Sequence, residues 1–189
     1  MALSALVLCS RALLKIGAQP IASFDEGTAE AEVAAHLYPL VCDALLSAHP
    51  WSFATGQMEL PRLVETPHAD YAYAYQLPPD FLRVLSAGDG GRGRGLEYRL
   101  NENRLHTNAP QVTLTYLFRP AESGFPAFFA SALVARLAAE FCIPLTESSS
   151  RTEMLHRLAE AEFRRARLAD SQQNTARAVE DFPLIAARG

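Results

Sequence analysis

The dipeptide His49-Pro50 divides this chain into stretches that obey different periods. A residue before a proline is pushed out of the helical region, so a helix arriving at His49 must stop there. Upstream, Val33, Leu37, Val41 and Leu45 recur at helical spacing. Downstream, Val112, Leu114 and Tyr116 alternate strictly, which is the period of a half-buried strand. Helical spacing returns with Phe128, Phe129, Leu133, Leu137 and Phe141. This order predicts an α+β fold: a bundle of about four helices, a small central antiparallel β-sheet and an extended C-terminal arm.

The first helix is predicted over residues 3–16, where Leu3, Leu6, Val7, Leu13 and Leu14 lead to Gly17, a residue suited to the left-handed conformation that ends a helix. The second, 28–47, has Thr28 as its cap and carries Glu30 and Glu32 in its first turn, near the positive end of the helix dipole. Pro39 deletes a backbone donor inside it and predicts a kink or a restart. The third, 127–143, is apolar almost all the way round and belongs in the middle of a bundle, with Pro144 stopping it. Ser150 and Glu153 form a capping box for the fourth, 150–170. There Leu155, Leu158 and Ala161 are expected to face inward, with Glu153–Arg157 and Glu160–Arg164 paired outside. Residues 1–171 read as one domain with a β-rich insertion at 51–118, and 172–189 as the arm.

Within the insertion, Phe81, Val84 and Leu85, then Leu96, Tyr98 and Leu100, then Leu105 and Thr107 mark short strands, and Asn101 to Asn103 reads as a hairpin turn. Trp51 and Phe53 are expected to anchor the crossing from helix to sheet. Tyr71, Tyr73 and Tyr75 alternate, so all three would project from one strand face, either packing against the bundle or forming a subunit interface.

A formal charge of -4 argues against a dedicated nucleic-acid binder, which normally carries a basic face. Cys9, Cys42 and Cys142 are odd in number and lack the C-x-x-C spacing, which points to reduced, partly buried thiols. The apolar start ending at Cys9 resembles a signal or lipoprotein segment in length. No basic residue precedes it, however, and Leu8 rather than a small residue sits before the cysteine. No uninterrupted apolar run approaches the ~20 residues of a bilayer span, so a soluble protein without a membrane partner is expected.

Gly88, Gly90 and Gly93 match the G-x-G-x-x-G dinucleotide pattern, but that pattern works only where a helix N-terminus follows, and here Leu96 to Leu100 reads as a strand. A flexible glycine-rich hairpin connection is predicted, with Arg92 and Arg94 at its tip free to touch phosphates, a neighbouring subunit or the DNA of a channel. Cys42 with His49, and His36 with Asp43, lie two turns apart on one helix face, too few ligands for a tetrahedral metal. Glu26, Glu30 and Glu32 have a structural role near a helix start, and no nucleophile elbow or Cys-His signature is present. The reading is a protein that is not an enzyme, with no cofactor and no metal.

Two segments carry a family resemblance. Leu37-Tyr38-Pro39 leads through Asp43-Ala44-Leu45-Leu46 to His49-Pro50-Trp51-Ser52-Phe53-Ala54, and Tyr73-Ala74-Tyr75-Gln76-Leu77-Pro78 follows in order. Together they resemble the head-to-tail adaptors of short-tailed phages, the tail tubular protein A type, over residues 29–54 and 73–84, with a weaker helical likeness at 132–145. Adaptors of long-tailed phages and of phage-derived gene transfer particles share the helical core. The loop 88–95 has no counterpart in that pattern. The resemblance implies a virion protein, made in the host cytoplasm, that forms a ring of usually about twelve copies at the head-tail junction. It would sit beneath the portal protein, present a surface to the tail nozzle, and let double-stranded DNA pass without sequence-specific binding. The arm suits portal binding through Phe182, Leu184 and Ile185. Alternatives from other classes are a virion-associated cell-wall hydrolase and a DNA-binding assembly factor.

Overall fold

Ser4 and Thr28 start the first two helices by the same device, a side-chain oxygen that accepts an otherwise unpaired N–H of the first turn: Val7 N–H at 3.3 Å and Ala31 N–H at 3.2 Å. The computed structural model describes residues 3–173. Helix α1 (Ala5–Ile16) ends at Gly17 with φ +79°, and α2 (Ala29–Ser47) runs to the His49-Pro50 break. Pro39 neither restarts nor divides α2. Ala35, whose carbonyl loses its partner there, is exposed together with Pro39, so water can satisfy it. The buried stripe of α2 is Ala31, Ala34, Tyr38, Cys42 and Leu45, one step round from the predicted face; Val33, Leu37 and Val41 are half-buried.

Between the helices lie β1 (Thr55–Glu59), β2 (Tyr73–Gln76), β3 (Phe81–Gly88), β4 (Arg99–Asn101), β5 (Arg104–Thr107) and β6 (Thr113–Phe118). They form two antiparallel sheets instead of the single one expected, in the orders β1-β6-β3 and β2-β5-β4. Alternation identifies strands but not their partners, and the polar sequence of β1 hides its membership altogether. Glu102 and Asn103, at φ +48° and +60°, make the predicted tight turn between β4 and β5.

Helix α3 (Ala127–Thr146) lies in the middle of the bundle, packed against α1, α2 and α4 (Ser149–Ser171). It runs past Pro144, which does not stop it, and closes at Glu147 in the left-handed conformation, φ 54°, with Glu147 N–H donating to the Ile143 carbonyl. Glu140, the residue whose carbonyl Pro144 leaves without an N–H, is only half-buried. Contrary to the expectation from uninterrupted runs, α3 is long and apolar enough to cross a membrane by length and composition; its window is 61% buried within this fold. The predicted capping box of α4 is absent. Ser148 occupies the cap, and buried Thr152 returns its hydroxyl to the Ser148 carbonyl at 2.9 Å, drawing the helix start back by a residue.

Two cores result. The first is helical and includes Leu13, Leu46, Trp51, Phe129, Leu133 and Phe141; the second lies between the sheets around Leu60, Tyr75, Leu105 and Leu114. Strand β6 serves both, because its alternation sends Leu114 and Tyr116 to the second core and Leu117 to the first. The fold is therefore α+β, with four helices and two small antiparallel sheets among the described residues.

Candidate interaction surface

The point where α2 gives way to β1 is fastened from three sides. Trp51 is fully buried, donates its indole N–H to the Leu45 carbonyl at 3.0 Å, and meets Phe129 and Phe163 edge-on at 5.1 and 5.8 Å between ring centres. Phe53 completes the aromatic cluster at 5.0 Å from Phe129, so both residues anchor the crossing as expected. Asp170, 2% exposed in the last turn of α4, accepts the Ser52 N–H at 3.0 Å and the Ser52 hydroxyl at 2.7 Å. His49 Nε2 stands 3.5 Å from the other carboxylate oxygen.

Serine, histidine and aspartate thus meet, but in an order that does no nucleophilic chemistry. The Ser52 proton goes to Asp170, so no imidazole is positioned to take it, as a triad requires. Burial holds the His49 pKa below its ordinary value although Asp170 pulls it up, which leaves a neutral ring at pH 7. The cluster is a clamp.

A second network ties α2 to the end of β6. Arg119 pairs with Asp43, and the Tyr38 hydroxyl donates to Glu122 at 2.9 Å. Burial pushes the Cys9 thiol up to about 12 and the Cys42 thiol to about 11. His36 is exposed, Cys42 is buried, Asp43 pairs with Arg119 and His49 faces Asp170, so neither pair on the α2 face comes together as a site. No group of three or more metal-ligating side chains occurs among the described residues. Glu26 ties the preceding loop, accepting the N–H groups of Ala22 and Ser23 and the Thr28 hydroxyl.

Of the three tyrosines, Tyr73 and Tyr75 share a face of β2 and both pack against the second core, while Tyr71 lies outside the strand. Tyr75 is 1% exposed and donates to the Ala109 carbonyl at 2.8 Å, so it belongs to the second core rather than to an interface or to packing against the bundle. Tyr73 is half-buried beneath the Arg62 guanidinium, 3.9 Å from its ring centre, and Tyr71 precedes β2. Arg92 and Arg94 are exposed on the glycine loop, and a strand follows that loop, not a helix. The loop is tied down: Gly93 O accepts from Ser86 Oγ at 2.6 Å and Thr115 Oγ1 at 3.2 Å. Phe182, Leu184 and Ile185 lie outside the described residues.

Surface features missed by the sequence reading lie on α4. Leu158 is 54% exposed instead of inward, and with Met154 and Leu168 it forms an outward stripe; the buried face is Thr152, Leu155, Ala159, Ala166 and Asp170. The 4-3-4-3 spacing from Met154 through Leu158, Ala161 and Arg165 to Leu168 was the available signal. Glu160 pairs across to Arg136 on α3 rather than to Arg164, while Glu153–Arg157 forms as predicted. Beside the stripe, the end of α1 and the start of α4 line an open groove whose charged residues are Lys15 and Arg151. Neither a protein-family model nor a curated protein matches this chain.

Proposed function

We propose that this chain is a head-to-tail adaptor: a structural subunit that closes into a ring of about twelve copies between the capsid portal and the tail, and continues the DNA channel. The observation that carries this reading is the position of the two resembling segments. One ends α2 at the Asp170 clamp and fastens the bundle to the β1-β6-β3 sheet. The other forms β2, the start of the second sheet. A subunit that bears load between head and tail needs its helical and β parts fixed to each other, and the clamp supplies that.

In this account Tyr71 and Tyr73 are available to a neighbouring subunit, Arg92 and Arg94 to a neighbour or to passing DNA, and Phe182, Leu184 and Ile185 to the portal. The protein resides in the virion at the head-tail junction and acts without cofactor or reaction. Assembly of particles in the absence of this chain tests it. DNA-filled heads without tails, rescued by adding the purified protein, are the expected outcome; normally tailed particles would refute it.

A further inference from the structure

Two exposed surfaces, each part apolar and of opposite charge, lie on different helices. The first joins α1 to α4. Arg11, Leu14 and Lys15 stand on the exposed side of α1 at i, i+3 and i+4, and Arg151, Met154 and Leu158 continue it on α4. Arg151 donates to the Ile16 carbonyl at 3.1 Å. None of Arg11, Lys15 and Arg151 takes part in an ion pair among the described residues.

The second surface is the outer side of α2 with the loop before it. The sequence holds no lysine or arginine between Lys15 and Arg62, yet it carries Asp25, Glu26, Glu30 and Glu32 there. Asp25 and Glu32 are exposed and have no ion pair among the described residues. Leu40, 69% exposed, follows Glu32 about two turns later. Helices α2 and α4 each pack on α3 and share no comparable contact, so the two surfaces belong to separate sides of the bundle.

We propose that these surfaces meet between copies, the α1/α4 surface of one chain receiving α2 of the next. The spacing along the helices matches. Glu32 and Leu40 are eight positions apart, about 12 Å at the helical rise, and Arg151 and Leu158 are seven apart, about 10.5 Å. With Leu40 seated on Leu158, Glu32 comes to Arg151 and Lys15. Opposite charge selects which surfaces meet, and the apolar side chains between them lose their water. A contact made from two different patches is heterologous, so copies add head to tail and form a ring where the rotation closes. The proposal deepens the adaptor reading and rests on it for that closure, whereas the pairwise contact needs no portal.

The test uses full chains carrying Leu158→Cys or Leu40→Cys, both at exposed positions, oxidised with copper–phenanthroline alone and mixed, with dimers read by non-reducing mobility. The native thiols are buried and do not compete. The expected result is a disulfide dimer in the mixture and little in either variant alone. It should form about fivefold more slowly when the Leu158→Cys chain also carries Lys15→Glu, and recover when the Leu40→Cys chain then carries Glu32→Lys. Equal dimerisation of one variant alone, no dimer in the mixture, or a rate indifferent to the charge changes would overturn the proposal. If the native protein nonetheless adds about twelve copies to a portal ring, the adaptor reading survives that failure; if it does not, both fall.

Discussion

Asp170 binds Ser52 through both the backbone N–H and the side-chain hydroxyl, across 118 positions of sequence. One buried carboxylate thereby joins the last turn of α4 to the residue at which the bundle becomes sheet. Charge-assisted bonds to a buried acceptor are among the stronger polar contacts in a fold, and removing the acceptor leaves an N–H without a partner.

Asp170→Ala should therefore destabilise the protein by about 3 kcal/mol, which for a chain of this length lowers Tm by roughly 6–12 °C. Asp170→Asn keeps the shape and one acceptor and should cost about half as much. The chain has a single tryptophan, Trp51, beside the clamp, so urea unfolding followed by its fluorescence measures both variants. An Ala variant within 0.5 kcal/mol of the native protein would remove the clamp from the account.

The acid side of the stability profile should carry a contribution from His49. Its folded pKa lies below the ordinary value of about 6.5 because the ring is partly buried, so the unfolded chain binds the proton more readily. Stability from this group is complete above about pH 6.5 and falls as pH drops through the lowered folded value. Denaturant titrations of the native protein and His49→Gln should run parallel above pH 7 and converge below pH 6. Parallel curves throughout would show that the partial burial of His49 does not shift its titration.

The glycine loop should behave as a packed turn. A Cβ on Gly88 would meet the Arg92 carbonyl oxygen at 2.0 Å, and one on Gly93 would meet Gln57 Nε2 at 2.6 Å. Gly88→Ala should cost more than about 2 kcal/mol, because the obstacle is backbone. Gly90→Ala, at φ +55° in open space, should cost about 1 kcal/mol. Equal, negligible effects in urea melts would restore the flexible connection that the composition suggests.

Thiol chemistry offers an independent check of the helical core. With Cys9 at about 12 and Cys42 at about 11, only a small fraction of either is thiolate at pH 8. Ellman's reagent should label them slowly in the native protein and rapidly in denaturant. Fast native labelling of Cys9 would contradict the burial of α1 against its neighbours.

Much of the fold was legible where local chemistry decides. Thr28, Gly17 and His49-Pro50 act within a few residues of themselves, and each sets a helix boundary as predicted. Misreadings arose where tertiary partners decide. Ser150 and Glu153 had the right spacing for a cap, but Thr152 is buried and bonds backwards to Ser148. Leu158 matched an inward face, yet the buried face of α4 runs through Thr152, Leu155 and Ala159. Glu160 had a partner one turn away and took Arg136 from another helix instead. Asp170 carried no local signal, since nothing near it in sequence reveals that Ser52 will arrive. For Tyr75 the alternation leaves packing against the bundle or a subunit interface, because it assigns a face without saying that a second sheet covers it.

The central claim, a ring subunit beneath a portal, is tested most directly by light scattering of the purified protein alone and mixed with portal rings. The account predicts a complex whose added mass corresponds to about twelve chains per portal, since closed rings grow by repeated identical contacts. A chain that keeps its own mass and leaves the portal unchanged would contradict it.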